Sequence, residues 1–170
     1  QSAIGELKKM NVSTAMLTGD GQSSADAVAK ALNIDEVHAK LLPADKLDVL
    51  QDIRTRRGSV MFVGDGINDA PVLAGADVGA AMGSGADAAI EAADVVYMTS
   101  SVEAIPTSLK IARRTRRVAW QNVWFALAIK LIVMVLGLTG HASMWMAVFA
   151  DSGVAMLCVL NSIRLLYTKH

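Results

Sequence analysis

The chain has 170 residues, 53% hydrophobic and 19% charged, with 16 basic and 16 acidic side chains that cancel. That balance gives no bulk electrostatic case for a nucleic-acid partner, and the single cysteine, Cys158, excludes an internal disulfide framework. The averages conceal an asymmetry: residues 1–117 read as a soluble α/β part, whereas residues 118–163 are almost wholly apolar.

"VSTAML" (12–17) is a short run rich in β-formers and predicts a buried strand ending at "TGD". "SSADAVAKALNI" then places Ala25, Val28, Ala29 and Leu32 at helical spacing. "VHA" reads as a short strand. Pro43, favourable at a first helical position, opens "PADKLDVLQDIRTRR", with Leu47, Leu50 and Ile53 on one face and basic residues in the last turn. "SVMFVG" (59–64) predicts a second buried strand, "NDAPVLAGA" a short helix, "DVGAAM" a strand, "GADAAIEAA" a helix and "DVVYM" a last strand. Strands alternating with helices argue for a parallel sheet covered on both faces. Ligands of such sheets sit beyond the carboxyl ends of the strands. Thr18, Asp20, Asp65 and Asp69 all follow strand ends, so the polar groups are expected on one rim.

Residues 1–101 form this α/β part, and residues 102–117 read as a basic linking helix ending in "RRTRR". Residues 118–140 and 143–163 are each about the 20 residues a helix needs to cross a bilayer. With only His141 and Ala142 between them they predict a tight transmembrane hairpin in membrane lipid. Four arginines at its entry, with Arg164 and Lys169 in the tail at 164–170, predict a multi-pass protein of the cell membrane with both ends and the α/β part cytoplasmic. The alternative, a buried helical hairpin of a soluble protein, sits badly with the near absence of a polar face. No signal-peptide pattern opens the chain, and its start without methionine fits a piece of something longer.

In "GDGINDAP" two glycines around Asp65 let the backbone turn sharply and approach a ligand. Asp65 and Asp69, four apart across a turn entering a helix, can face one point. Such hard oxygen ligands suit Mg²⁺, held by one or two carboxylates plus phosphate oxygens and water. Asn68 can aim its amide at the same phosphate. The competing reading is an Asp/Asn-capped turn. In "LTGD" the Thr18 hydroxyl, the unhindered Gly19 amide and the Asp20 carboxylate offer phosphoryl contacts, a weak signal alone. Lys46 lies in the first turns of a helix, where the dipole disfavours a cation; neutralising phosphate charge is one reading and a solvated surface lysine the other. No "GxxxxGK[ST]" is present, and "GSGADA" (83–88) lacks the third glycine of a dinucleotide motif.

Lys130 and Asp151 lie near the middle of their spans, each 10 residues from "GH", and so at similar depth on antiparallel helices. A charge at the bilayer centre costs about 2.5–3.5 kcal/mol on the translocon scale. Two opposite charges at one level predict pairing. Either they form a structural ion pair, or Asp151 is a divalent-cation ligand and Lys130 its built-in counter-ion. A carboxylate suits Zn²⁺ better than Cu⁺.

"MLTGD", "LPADKLDVL" and "VGDGINDAPVLAGADVGAAMGSGADAAIEAADVV", in that order and followed by a membrane hairpin, resemble the C-terminal part of a heavy-metal-transporting P-type ATPase. "NVWFALAIK" and "DSG" are similar to the zinc/cadmium/lead exporter subgroup. The resemblance implies part of a haloacid-dehalogenase-like phosphorylation domain with a Rossmannoid parallel sheet, then two transmembrane helices. It implies that Asp65 and Asp69 hold Mg²⁺, that Thr18 and Gly19 touch an aspartyl phosphate, that Lys46 and Asn68 stabilise its charge, and that Asp20 lies near the hinge to the nucleotide domain. Gly21 departs from the asparagine more usual after "TGD". "DKTGT" does not occur, so the aspartate to be phosphorylated, the ATP-binding domain and the earlier spans are expected in a missing N-terminal remainder. The implied function is ATP-driven export of Zn²⁺, Cd²⁺ or Pb²⁺. The alternatives are copper transport by the same machinery or a catalytically inactive membrane-anchored fragment.

Overall fold

The computed structural model describes residues 2–83, 87–99, 101–141 and 143–167. The chain divides into two compact units, residues 1–106 and 107–170.

The first unit opens with α1 (Ser2–Lys9), an element absent from the sequence reading. It buries only Ala3 and Leu7 among Gly5 and three charged residues, too thin a stripe to stand out. β1 (Ala15–Leu17) and β2 (Glu36–His38) pair in parallel, with Ala15 opposite Glu36. The "VSTAML" strand is shortened because the Thr14 N–H and hydroxyl both turn to the Asp35 carboxylate at 2.9 Å. α2 (Gln22–Leu32) connects the two strands and buries Ala25 and Ala29. It ends at Asn33, whose φ of 59° is the left-handed cap that asparagine tolerates.

α3 (Pro43–Arg57) begins at the expected proline and buries Leu50 and Ile53. The Leu42 N–H donates to the Asp45 carboxylate at 2.9 Å, satisfying one of the orphan donors near the helix start. A second parallel sheet follows, in the order β3 (Met61–Gly64), β4 (Val78–Met82), β5 (Val95–Tyr97). A 3₁₀ turn at Ile67–Asp69 runs into α4 (Ala70–Gly75), and α5 (Asp87–Ala92) links β4 to β5. The start of the "GADAAIEAA" helix lies outside the described residues. Along β4 four consecutive residues are buried, so both its faces are covered. Leu73, Ala81 and Ala89 form a fully buried cluster, against which Phe62 and Ile90 pack.

The expected single parallel sheet is therefore two, of two and three strands. Among the described residues β1 is bonded only to β2 and β3 only to β4, so each keeps one edge without a strand partner there. A cleft of about 320 Å³ is lined by Ala15 and Leu17 of β1, Met61 and Phe62 of β3, and Leu50 and Ile53 of α3.

In the second unit the helix read as a basic linker and the first apolar span are one element, α6 (Ala104–Leu138). Its 35 residues run about 52 Å, well beyond the roughly 30 Å of a hydrocarbon core. The second apolar segment, Met144–Ile163, has three parts: α7 (Met144–Val148), a π-helical turn at Phe149–Gly153 and α8 (Val154–Ile163). Both segments are long and apolar enough to cross a membrane, and no residue in the apolar window of α6 is buried. Trp120 and Trp124 stack on the flank of α6 with ring centroids 6.4 Å apart. The His141 N–H returns to the Leu136 carbonyl at 2.9 Å, and the Ser143 hydroxyl caps α7 by accepting from the Met146 N–H.

Candidate functional site

In the first unit the polar groups collect at the carboxyl ends of the strands. β1 delivers Thr18, whose N–H donates to the His38 carbonyl at 2.9 Å, one residue past the paired strand. The Thr18 hydroxyl lies 3.1 Å from the Asp20 carboxylate and accepts from the Asp20 N–H at 3.1 Å. Gly19 is exposed, and a Cβ there would meet the Leu41 carbonyl at 3.4 Å. The turn is tied to the segment before α3, because the Leu41 N–H donates to the Thr18 carbonyl and the Lys40 N–H to the Asp20 carbonyl. Lys46 stands five residues beyond Leu41, in the opening of α3.

From there Lys46 reaches across to the end of β3. Its Nζ lies 2.7 Å from Asp69 Oδ1, and the two side chains are only 17% and 13% exposed. This disposes of the surface-lysine reading of Lys46. The capped-turn reading of Asp69 fails as well, since Asp69 occupies the N-cap position of α4 yet its side chain caps nothing. The second oxygen, Oδ2, sits against Gly64 and Gly66. A Cβ on Gly64 would come within 2.9 Å of Asp69 Cβ and 3.0 Å of Oδ2, so only glycine leaves room for the carboxylate there. Sequence reading missed this role of Gly64, because the approach depends on where the turn folds back.

Asp65 and Asn68 are exposed, and among the described residues neither side chain has a hydrogen-bond partner. The donor set thus offers the free Asp65 carboxylate and one oxygen of Asp69. No group of three or more His, Cys, Asp or Glu side chains exists among the described residues to build an all-protein cage. Two carboxylates with the remaining positions open fit Mg²⁺, which keeps several waters and shares phosphate oxygens.

In the second unit the Lys130 Nζ lies 3.3 Å from Asp151 Oδ1, joining α6 to the π-helical turn. Asp151 is the middle residue of that turn, a wide helical form that recurs at functional sites. Gly153 makes it possible to seat Phe149 there, for a Cβ at 153 would stand 2.7 Å from the Phe149 ring. A second polar cluster, unforeseen in the sequence, joins the helices elsewhere. Asn122 on α6 bonds to Cys158, Asn161 and Ser162 on α8. The signal that could have found it is a run of amides and hydroxyls, Asn122, Asn161 and Ser162, inside segments otherwise fit for lipid.

Two electrostatic anchors hold the edge of the first unit. The Arg56 guanidinium, with His38 and then Arg57, holds the Glu36 carboxyl down to about 2. Lys8 and the Thr14 N–H hold Asp35 at about 2. Both are surface clamps at the start of β2, away from the strand carboxyl ends.

The parallel-stranded unit with acidic turns at its strand ends is matched by models of haloacid dehalogenase-like hydrolases, over residues 1–77 and 47–109. A cadmium, zinc and cobalt-transporting ATPase of Bacillus subtilis is 49% identical over 99% of this chain and 25% of its own length. A zinc-transporting ATPase of Synechocystis is 48% identical over 96% of this chain and 23% of its own length. The crystal structure of a zinc-transporting PIB-type ATPase in the E2.Pi state superposes with a TM-score of 0.92 and 39% identity, over 97% of this chain and 27% of that one. The chain is thus similar to heavy-metal-transporting P-type ATPases, and it spans about a quarter of the length of these relatives.

Proposed function

We propose that this chain is part of a pump that exports divalent heavy-metal cations, Zn²⁺, Cd²⁺ or Pb²⁺, across a membrane, driven by ATP through an aspartyl phosphate. The observation that carries the reading is the Lys130–Asp151 pair, two opposite charges joined at 3.3 Å between helices apolar enough to cross a bilayer. Charges placed there are expensive and mark ion pathways. Asp151 is the cation ligand and Lys130 the counter-ion: the arriving cation displaces the ammonium, and after release the ammonium re-pairs with the carboxylate and opposes return. A carboxylate is a hard ligand, which favours Zn²⁺ over Cu⁺.

In the first unit Asp65 and Asp69 would hold Mg²⁺, which when bound supplies positive charge to phosphoryl oxygens. Lys46 orients Asp69 from the side and adds its own charge to the rim. Thr18 and Gly19 present a hydroxyl and an amide, Asn68 presents its free amide, and Asp20 fixes the Thr18 hydroxyl. The cleft between the unpaired edges of β1 and β3 supports a remainder of the same pump lying outside this chain, whose strand would pair with both edges and bring the phosphorylated aspartate to this rim. On this reading residues 1–101 would be part of a cytoplasmic phosphorylation domain, residues 102–117 its basic linking helix, residues 118–140 and 143–163 spans in membrane lipid, and residues 164–170 a cytoplasmic tail.

The test is metal-stimulated ATPase activity of the full-length pump. Asp151→Ala is expected to abolish zinc stimulation, and Asp65→Asn to raise the Mg²⁺ requirement. Full zinc stimulation in Asp151→Ala would sink the ion-site assignment. Stimulation by Cu⁺ but not Zn²⁺ would favour the copper alternative, and no turnover with any metal the inactive one.

A further inference from the structure

The Lys130–Asp151 contact requires two antiparallel helices to hold one register, and a slip of a single turn, about 5.4 Å, would separate the charges. We propose that Asn122 is the positioning residue that fixes this register, acting as a clamp between α6 and α8 rather than as a cation ligand. The inference rests on the ion-site reading of Asp151.

Both polar atoms of the Asn122 amide are engaged by α8. Its Nδ2 donates to the Cys158 carbonyl at 3.1 Å and to the Ser162 hydroxyl at 2.9 Å. Its Oδ1 accepts from Asn161 Nδ2 at 2.8 Å. An Asn side chain offers two donors and one carbonyl acceptor, and all three groups are used. The Asn122 backbone carbonyl takes a fourth contact, from Cys158 Sγ at 3.7 Å. The Ser162 hydroxyl also donates to the Cys158 carbonyl at 3.0 Å, so the partners are themselves held together. The amide oxygen is engaged by Asn161, and the thiol is turned to the α6 backbone.

The register agrees with the ion pair. Asn122 and Lys130 are eight residues apart on α6, about 12 Å along the axis. Asp151 and the clamp residues Cys158 to Ser162 are seven to eleven apart on the opposing segment, about 10–17 Å. Travelling back along one helix therefore matches travelling forward along the other, and the same alignment satisfies both contacts. Lipid supplies no hydrophobic drive between the helices, so interhelical hydrogen bonds of this kind carry the alignment. Asp151 sits inside the π-helical turn that leads into α8, so with α8 held by the clamp the turn sets the direction of Asp151.

The experiment measures zinc-stimulated ATPase of the full-length pump with Asn122→Ala, Ser162→Ala and Asp151→Ala. Asn122→Ala is expected to raise the half-saturating zinc concentration about tenfold, each interhelical bond being worth a few-fold, while maximal turnover stays within about twofold. Ser162→Ala, which removes one partner, is expected to raise it about threefold, and decides the matter if Asn122→Ala does not fold. A role confined to structure would lower yield or melting temperature and leave half-saturation unchanged in the folded fraction; that result overturns the proposal. If Asp151→Ala loses stimulation while both clamp variants saturate normally, the clamp falls and the ion site stands. If Asp151→Ala keeps its stimulation, the ion site falls and the clamp's purpose with it.

Discussion

Lys46 and Asp69, 23 residues apart in sequence, form an ion pair of 2.7 Å that ties the start of α3 to the end of β3. The pair joins a base that the sequence places in the first turns of a helix to an acid that it places past a strand end. It also leaves one oxygen of Asp69 for a cation. Replacing Lys46 by methionine is expected to lower stability by about 2 kcal/mol, because a mostly buried carboxylate loses a charged hydrogen-bond partner. Denaturant unfolding of the purified chain in detergent checks it; a midpoint equal to wild type would show the pair to be incidental.

Gly64 is the second support of that carboxylate. Gly64→Ala puts a methyl group 2.9 Å from Asp69 Cβ, closer than real contacts allow, and Asp69 must move. Mg²⁺ binding by the chain is expected to weaken at least tenfold, an outcome readable by calorimetry, since one misplaced carboxylate of two removes much of the site. Wild-type affinity in Gly64→Ala would mean that Asp69 is not a ligand.

Lys130→Ala separates counter-ion from ligand. With no ammonium to re-pair with Asp151, release of the cation is expected to slow, so that turnover falls about tenfold or more while half-saturating zinc drops. Steady-state zinc titration of the ATPase separates the two quantities. Unchanged turnover would reduce the pair at 3.3 Å to a structural lock.

Gly153→Ala tests the π-helical turn. The new methyl group meets the Phe149 ring at 2.7 Å and must expel it or tighten the turn. Half-saturating zinc is expected to rise several-fold, and Phe149→Ala in the same molecule is expected to restore it by clearing the space. A double variant as impaired as the single one would place the defect elsewhere.

The pH response of the first unit follows from Glu36. Its folded pKa of about 2 lies below the ordinary 4.5, chiefly through Arg56 and then His38. A depressed carboxyl contributes stability that is complete above the unfolded value and disappears as pH falls through the folded one. Glu36→Gln is therefore expected to be destabilised near neutrality, by about 1 kcal/mol for so solvent-screened a network. The difference from wild type should close between about pH 4.5 and pH 2. Urea melts across that range check it, and a gap independent of pH would exclude the mechanism.

The residue order was enough to specify the alternation of short strands and helices, the start of α3 at Pro43, the acidic turns after β1 and β3, and two apolar segments carrying one charge each. Periodicity, proline geometry and the expense of charge in lipid are local or additive properties, and they are readable without coordinates. Other features arose only when distant residues met. The split of the sheet into two, the partnering of Lys46 with Asp69, the room that Gly64 leaves, the π-helical turn around Asp151 and the Asn122 clamp all depend on close approach across 15 to 40 residues or on the path of a turn. Packing and hydrogen-bond geometry are decided in three dimensions, where sequence separation sets neither distance nor direction.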